Sequence, residues 1–416
     1  MRNLVDTGIP WLGKIPDSWS CVHLKRVATI ITGSTPDRKR EEYFSKTEGI
    51  PWIKPENLGN LNPINSADEY LTPEGQNVGK IFPPLTIYVC CIASVGKVGF
   101  SDIPCSCNQQ INAILFNEKI VNKQYGYYVL QAATLEHEAI ANESVQKIVN
   151  TTSEGYIKIP VPPYEEQITI VNFLNNRLKQ IAESIQGHQS IIEKLEKYKV
   201  SVITQAVTKG IKQNVEMKES NEIWIGKVPS NWRLWKLKYT VNLRKEKCIN
   251  RPYIGLENVE SRSACFLGYG ECDSEALLVK PGDVIFSKLR PYLSKTLLVN
   301  EEASCNSEFL VMTPLLFESE YLKYVTLSSS FVDRVNGSSY GVKMPRASWN
   351  FVGNLIVPLP SREEQRAIVS YLNNICSEID QAKNKALEVI TKLEKYRQSL
   401  IYSAVTGKIS CTGGAL

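Results

Sequence analysis

The sequence predicts an α+β protein built twice over, as two quasi-symmetric globules, each followed by a long helix, with the two helices paired as an antiparallel coiled coil. Three observations predict it: an internal repeat, a heptad-like seam in each long polar stretch, and β-leaning blocks between the repeated landmarks. KLEKY occurs at Lys194–Tyr198 and again at Lys392–Tyr396, and EEQ at Glu165–Gln167 and Glu363–Gln365, in both cases 198 positions apart. The same offset pairs Ala206-Val207-Thr208 with Ala404-Val405-Thr406, Cys107-Asn108 with Cys305-Asn306, and the prolines of Ile159–Pro162 with those of Val357–Pro360. GKIPDSW (Gly13–Trp19) answers GKVPSNW (Gly226–Trp232) at an offset of 213, so the first block carries 15 extra residues. The chain is a duplication.

Each half reads in the same order. A GK(I/V)PxxW opening leads into a variable block, a Pro-rich exit and a long helix. Within the blocks, Ile87–Val89, Asn112–Phe116 and Val284–Phe286 have the β-branched and aromatic content of short strands. Turn residues are dense at Gly33-Ser34-Thr35-Pro36, Asn57–Asn60, Pro281-Gly282-Asp283 and Asn336-Gly337. In chain order this gives a first globule over 1–163, a helix over 164–209, a second globule over 210–361, a second helix over 362–409 and a tail over 410–416. The polar stretch Lys209–Glu222 is the expected linker.

From about Glu165 to Thr208 there is no proline, and Val171, Leu174, Leu178, Ile181, Ile185, Ile192 and Leu195 recur at alternating steps of three and four, with His188 filling the one open seat. A period near 3.5 makes a coiled-coil seam rather than the broad apolar stripe of a globular surface helix. Pro162-Pro163 and the acidic first turn, Glu165-Glu166, suit a helix start. The second helix repeats the seam at Leu372, Cys376, Ile379, Ala386, Ile390, Leu393 and Leu400, interrupted by Lys383 and Arg397. One narrow seam needs a partner, and the other copy is the simplest. Paired antiparallel, two helices of about 40 residues form a rod of about 60 Å with a globule expected at each end.

Composition excludes several classes. The chain has 416 residues, 43% of them hydrophobic, no apolar run long enough to span a bilayer and no signal-peptide core in MRNLVDTGIP. Eleven cysteines without a secretory signal read as reduced thiols in a cytoplasm. Cys90-Cys91 and Cys105/Cys107 lack zinc spacing, and only His23, His137 and His188 could assist them, so no metal is expected. A net charge of +5 is compatible with a polyanion partner.

Catalytic motifs are missing. Gly337–Lys343 lacks the spacing of a phosphate-cradling loop, there is no GxGxxG, and no Gly-x-Ser-x-Gly supports a hydrolase triad. Pro162-Pro163-Tyr164 resembles part of the Asn/Asp-Pro-Pro-Tyr loop of adenine methyltransferases, but Val161 stands where the amide or carboxylate must be. What remains are basic and amide-bearing loops. SKLRPYLSK puts Lys288, Arg290 and Lys295 on a proline-stiffened loop, where Arg can clamp guanine or phosphate and Lys supplies a point charge. The aligned stretch of the first half, Cys91–Gly99, offers only Lys97. Ser34, Thr35, Arg38, Lys39 and Arg40 form a hydroxyl-rich basic turn, Asn108, Gln109 and Gln110 are amides of the type that read adenine edges, and Lys245 and Lys343 complete the second half's candidates.

In this order and duplicated, GKIPDSW and GKVPSNW, IPVPPYEEQ…KLEKY…AVTKGI and VPLPSREEQ…KLEKY…AVTGKI resemble the specificity subunits of type I restriction–modification systems over essentially the whole chain. The resemblance implies two target recognition domains, each reading half of a split double-stranded DNA sequence, and an antiparallel coiled coil that separates them. It implies two docked adenine methyltransferase subunits carrying S-adenosylmethionine, and restriction subunits using ATP and Mg²⁺, with no cofactor in this chain and no membrane. SKLRPYL matches a frequent loop of such domains, which singles out Lys288 and Arg290. The competing readings are a stand-alone DNA-binding nuclease and an interaction scaffold without nucleic acid.

Overall fold

The computed structural model describes residues 3–60, 62–143, 147–272, 274–341 and 343–411, so the end of the expected tail (412–416) and Val342 of the Gly337–Lys343 stretch lie outside the described residues. The chain divides into two compact units, Met1–Gln186 with Val389–Leu416, and Gly187–Glu388. Each unit therefore takes a globule, part of one long helix and part of the other. The helices run over Tyr164–Lys209 and Arg362–Val405. The first changes unit at Gly187, where an added Cβ would meet nothing within 4 Å.

The first unit is built on an antiparallel sheet in the order Ala28–Thr32, Ile111–Phe116, Ile87–Cys90, Val98–Phe100. Side chains alternate across a strand, and here both faces are covered. Ile87, Val89, Ile114 and Phe116 join the core shared with the long helices, whereas Tyr88, Cys90, Ile111 and Ala113 join a second core with Ile53, Leu58 and Phe82. That is why IYVC and INAILF are apolar at nearly every position. A smaller sheet orders Ser106–Cys107, Ile50–Ile53, Tyr70–Leu71 and Phe44–Ser45, its first pair parallel. Ser20–His23 pairs with Lys158–Val161, closing the opening of the globule on its exit.

The second unit repeats the main sheet and the pairing of opening with exit, while its smaller sheet is ordered differently, Ala303–Cys305 lying between Tyr253–Ile254 and Ala276–Val279. Val241–Arg244, Phe309–Pro314, Val284–Ser287 and Thr296–Leu298 follow the main-sheet order of the first unit, and Arg233–Lys236 pairs with Ile356–Leu359. Phe116 faces Ala28 in one sheet and Pro314 faces Val241 in the other. These pairs stand at the offsets of the sequence repeat, so the duplication extends to hydrogen-bond register.

Within each unit the helices run antiparallel. In the second, Lys199 pairs with Asp380 at 2.7 Å and Glu196 with Lys383 at 2.6 Å, partner numbers falling as the first helix advances. The Lys383 interruption of the seam is thereby matched by a carboxylate. In the first unit Leu174, Leu178, Ile181 and Ile185 share a core with Leu393, Leu400 and Ile401. In the second, Ile203 and Val207 share one with Ile368, Leu372 and Cys376. Ile379 is buried, while Ile192, Leu195 and Ile390 are half-buried.

The same side chains bolt globule to helix in both units. Fully buried Gln167 donates to the carbonyls of Ile120 and Pro162 (both 2.9 Å) and accepts from the Asn122 amide at 2.8 Å. Gln365 does the same with Leu316 (3.3 Å), Pro360 (3.0 Å) and the Glu318 amide (2.7 Å). Tyr128 and Tyr324 each donate to a helix asparagine, Asn175 and Asn373, at 2.6 Å. Tyr125 and Tyr321 reach the last turn of the helix arriving from the other half, at the Val405 and Val207 carbonyls. That helix then stops on a left-handed glycine. Gly407 lies against Pro16 and Trp19, and Gly210 against Trp232 and Pro229. The repeated EEQ, tryptophan and AVT segments are thus the seats of each globule.

The interiors are not copies. In the first unit buried His137 sits between the Ala133 carbonyl (2.9 Å) and Glu154 (3.2 Å), and Glu154 accepts from Asn112 at 2.6 Å. At the repeat positions of Asn112 and Glu154 the second unit buries Leu310 and Val352. It has its own polar cluster instead, with Arg244 and Thr313 on buried Asp283.

Replacing either glutamine with leucine removes three bonds and strands buried backbone groups. Gln167→Leu and Gln365→Leu are each expected to lower unfolding free energy by about 3 kcal/mol, read by denaturant titration. A loss below about 1 kcal/mol would remove the glutamines from this role.

Candidate nucleic-acid interface

In the second unit SKLRPYLSK connects Val284–Ser287 to Thr296–Leu298 through a short turn, Pro291–Leu293. Proline starts the turn, and Arg290 and Ser294 flank it in the left-handed region, both at φ 47°. Such a backbone is costly for residues with a Cβ, and neighbours hold it. Arg290 N–H donates to the Pro345 carbonyl (2.7 Å), Lys288 N–H to Glu308 (2.9 Å), and Ala347 N–H to Lys288 (2.9 Å). A cleft of about 410 Å³ beside this loop brings together Lys245, Lys288, Glu308, Tyr340, Arg346 and Trp349. Arg290 is exposed on the loop, and Lys343 is exposed in the hairpin closed by Tyr340 and Arg346. Lys295 turns the other way, its amine on the Leu256 carbonyl at 2.6 Å.

The first unit has the same frame. Cys91 N–H donates to Gln110 and Val149 N–H to Cys91, as Lys288 and Ala347 do in the second unit. Lys97, the counterpart of Lys295, is likewise turned inward, to the Pro55 carbonyl at 3.0 Å. Both lysines act as struts between the loop and the strand-following turn. Asn108 is buried, with its side chain spent on Gln110. Asn306 occupies the same position and uses its side-chain oxygen in the same way, accepting from Glu308 N–H. Repetition of this asparagine therefore tracks a turn rather than a surface.

Ser34, Thr35 and Gln109 gather at one edge of the first unit. Ser34 Oγ accepts from Lys80 N–H at 3.0 Å, and Thr35 donates to Gln109. Gly33 is obligatory there, since a Cβ would lie 2.2 Å from the Asn108 carbonyl oxygen. Arg38 lies over Trp52 and Phe44, at 4.3 and 4.4 Å from the ring centres, and gives both terminal amines to Glu69 (2.9 and 3.0 Å). Its fork is fully occupied. Lys54 adds a contact to Glu69 at 2.5 Å. Lys39 is exposed. Sequence reading missed Glu308, in the turn before Phe309–Pro314, and Tyr340 and Arg346, in the segment after Asn336, as parts of one cleft, because only the fold brings them together.

Among the described residues no group of three metal-ligating side chains occurs and no helix is long and apolar enough to cross a membrane. The eleven cysteines carry no disulfide, and burial pushes the Cys91 and Cys305 thiols up to about 12.

The hydrogen bonds from Arg38, reinforced by Lys54, hold the Glu69 carboxyl down at about 2, against an ordinary value of 4.5. A carboxyl depressed in the folded state stabilises it above its unfolded value, and that contribution is lost as pH falls through the folded one. Trp52 fluorescence is expected to report release of Arg38 as pH drops from about 4.5 towards 2, in a component missing from Glu69→Gln. A difference titration centred near 4.5 would contradict the pairing.

Residues 16–197 and 237–389 each match the family described as type I restriction modification DNA specificity domain. The type I restriction enzyme MjaVIII specificity subunit of Methanocaldococcus jannaschii is 25% identical over 95% of this chain and 94% of its own length. The EcoBI specificity subunit of Escherichia coli is 22% identical over 98% and 90%. In fold, the chain resembles a solved chain of a type I R-M system (TM-score 0.69, 15% identical, covering 95% of this chain and 100% of that one). It also resembles the HsdS subunit from Thermoanaerobacter tengcongensis (TM-score 0.52, 16% identical, 95% and 98%). With that domain matched twice across most of its length, the chain belongs to the type I restriction–modification specificity family.

Proposed function

We propose that this protein is the DNA-reading subunit of a type I restriction–modification enzyme, in the cytoplasm, with each globule reading one half of a split double-stranded target. It performs no chemistry itself. Two adenine methyltransferase subunits dock on it and bring S-adenosylmethionine, and restriction subunits joining through them use ATP and Mg²⁺. The observation that carries this reading is the contrast between the halves. The register of their main sheet and their glutamine and tyrosine bolts are the same, while the side chains on the loops of that frame differ, Lys288, Glu308 and Arg346 standing where the first half has Cys91 (buried), Gln110 and Ile148. Two readers of one sequence would not need different loops. A stand-alone nuclease draws no support from relatives named as specificity subunits.

The twin partner is favoured by the repeated KLEKY segments. Packing explains the leucines, but Tyr198 and Tyr396 are 53% and 55% exposed, and the lysine before each, Lys197 and Lys395, is exposed too. A merely solvated face has no reason to keep two bare tyrosines in register. Two copies of one subunit would meet the same surface twice.

The direct test is to assemble the chain with its methyltransferase partner and map adenine methylation on random DNA. A split target is expected. Cleavage by the chain alone with Mg²⁺, or methylation without sequence preference, would overturn the reading. In that complex Arg290→Ala should change preference in one half-site only, by about 1–3 kcal/mol if it meets a base edge. Lys288→Ala should weaken all sequences alike and reduce the salt slope by about one if it meets phosphate. Tyr198→Ala and Tyr396→Ala should each lower affinity for one methyltransferase copy by about tenfold or more, with unchanged melting of the chain. Full two-copy assembly by the double variant would remove the tyrosines from the interface.

A further inference from the structure

Several arginines of this chain have their guanidinium closed off. Arg38 gives both terminal amines to Glu69, Arg244 is divided among Asp283, Thr313 and Glu246, and Arg362 spends its two on the Phe317 and Leu315 carbonyls. Arg346 differs. Its Nε donates to both oxygens of Glu308 (3.0 and 3.2 Å), and neither terminal amine carries a hydrogen bond among the described residues. A carboxylate gripping Nε fixes the plane of the guanidinium and leaves the two-donor end free. A guanine presents its N7 and O6 acceptors to such an end in the major groove.

The backbone on both sides of the pair is hydrogen-bonded. Arg346 exchanges both backbone bonds with Tyr340 (3.0 and 3.1 Å) and bridges Leu289. Glu308 is held by its amide on Asn306 Oδ1 (2.8 Å) and its carbonyl on Lys288 N–H (2.9 Å). Ordering has thus been completed before any ligand arrives, which lowers the cost of binding. The side chain is 38% exposed and opens on the cleft lined by Lys245 and Lys288, cations suited to flanking phosphates. In the first unit the corresponding bridge joins Ile92 to Ile148, and Gln110 stands where Glu308 does. The shared frame thus carries a cation fork in one half and an aliphatic side chain in the other.

We propose that Arg346, buttressed by Glu308, is a specificity-determining residue that clamps a guanine in the half-site read by the second unit. The proposal rests on the DNA-reading function above and assigns one base to one side chain. Arg346→Lys keeps the charge and removes the fork, so it separates base reading from phosphate attraction. In the full methyltransferase complex, methylation mapped on random DNA should lose preference at one G·C position of one half-site, by roughly tenfold or more, with the other half-site unchanged. Glu308→Ala, which frees the guanidinium to rotate, should relax the same position. Melting of each variant, together with retained reading of the first half-site, shows that the protein is folded. If wild type shows no split target, the functional reading itself fails. If wild type is specific and Arg346→Lys leaves the profile unchanged, only this assignment fails. A uniform loss over all sequences with a smaller salt slope would make Arg346 a phosphate contact and overturn it as well.

Discussion

Each unit depends on one buried amide. Gln167 and Gln365 sit where three strands of the chain meet: the exit from the globule, the loop before its largest helix and the first turn of the long helix. A helix start leaves unsatisfied backbone donors, and loops packed against it bury carbonyls that water cannot reach. One side chain with a donor and an acceptor end resolves both at once. The tyrosines then fix the next turns, so the angle between globule and helix is set by hydrogen bonds of defined length rather than by apolar contact alone.

That constraint explains what was legible in the sequence. EEQ, the opening tryptophans and the AVT segments stood out because equivalent seats recur in both units, and the seam stood out because a narrow helix interface demands a 3.5 period. Strands such as Ile87–Cys90 were visible as apolar runs, although not which residue faces which of two cores. The site was less legible. Lys97 and Lys295 looked like free cations until the fold turned both onto backbone carbonyls. Asn108 looked like a base reader, and its repetition as Asn306 turned out to track a turn. A charge announces itself in a sequence, but its partner does not. Glu308 and Arg346 lie 38 positions apart and meet only through tertiary structure.

The units also show how a duplicated frame diverges. The first buries His137, Glu154 and Asn112 where the second packs aliphatic side chains, and the second centres a polar cluster on Asp283. A buried polar network tolerates few partial changes, because each unsatisfied member is costly. Exchange between the halves is therefore constrained inside each globule and easiest at the repeated seats, where both sides of the junction are already the same.

The composition of the first unit bears on how the protein is made. Its core needs Val389–Val405 as well as the first 186 residues. On the ribosome, Leu174, Leu178 and Ile181 emerge about 200 residues before the segment that covers them, which at ~5–20 residues per second is a delay of roughly 10–40 s. Throughout that interval the nascent chain displays an apolar stripe with no companion of its own. A chaperone, or a helix from a neighbouring nascent chain, has that window in which to occupy it, so translation speed, as well as final stability, bears on the yield of correctly closed protein.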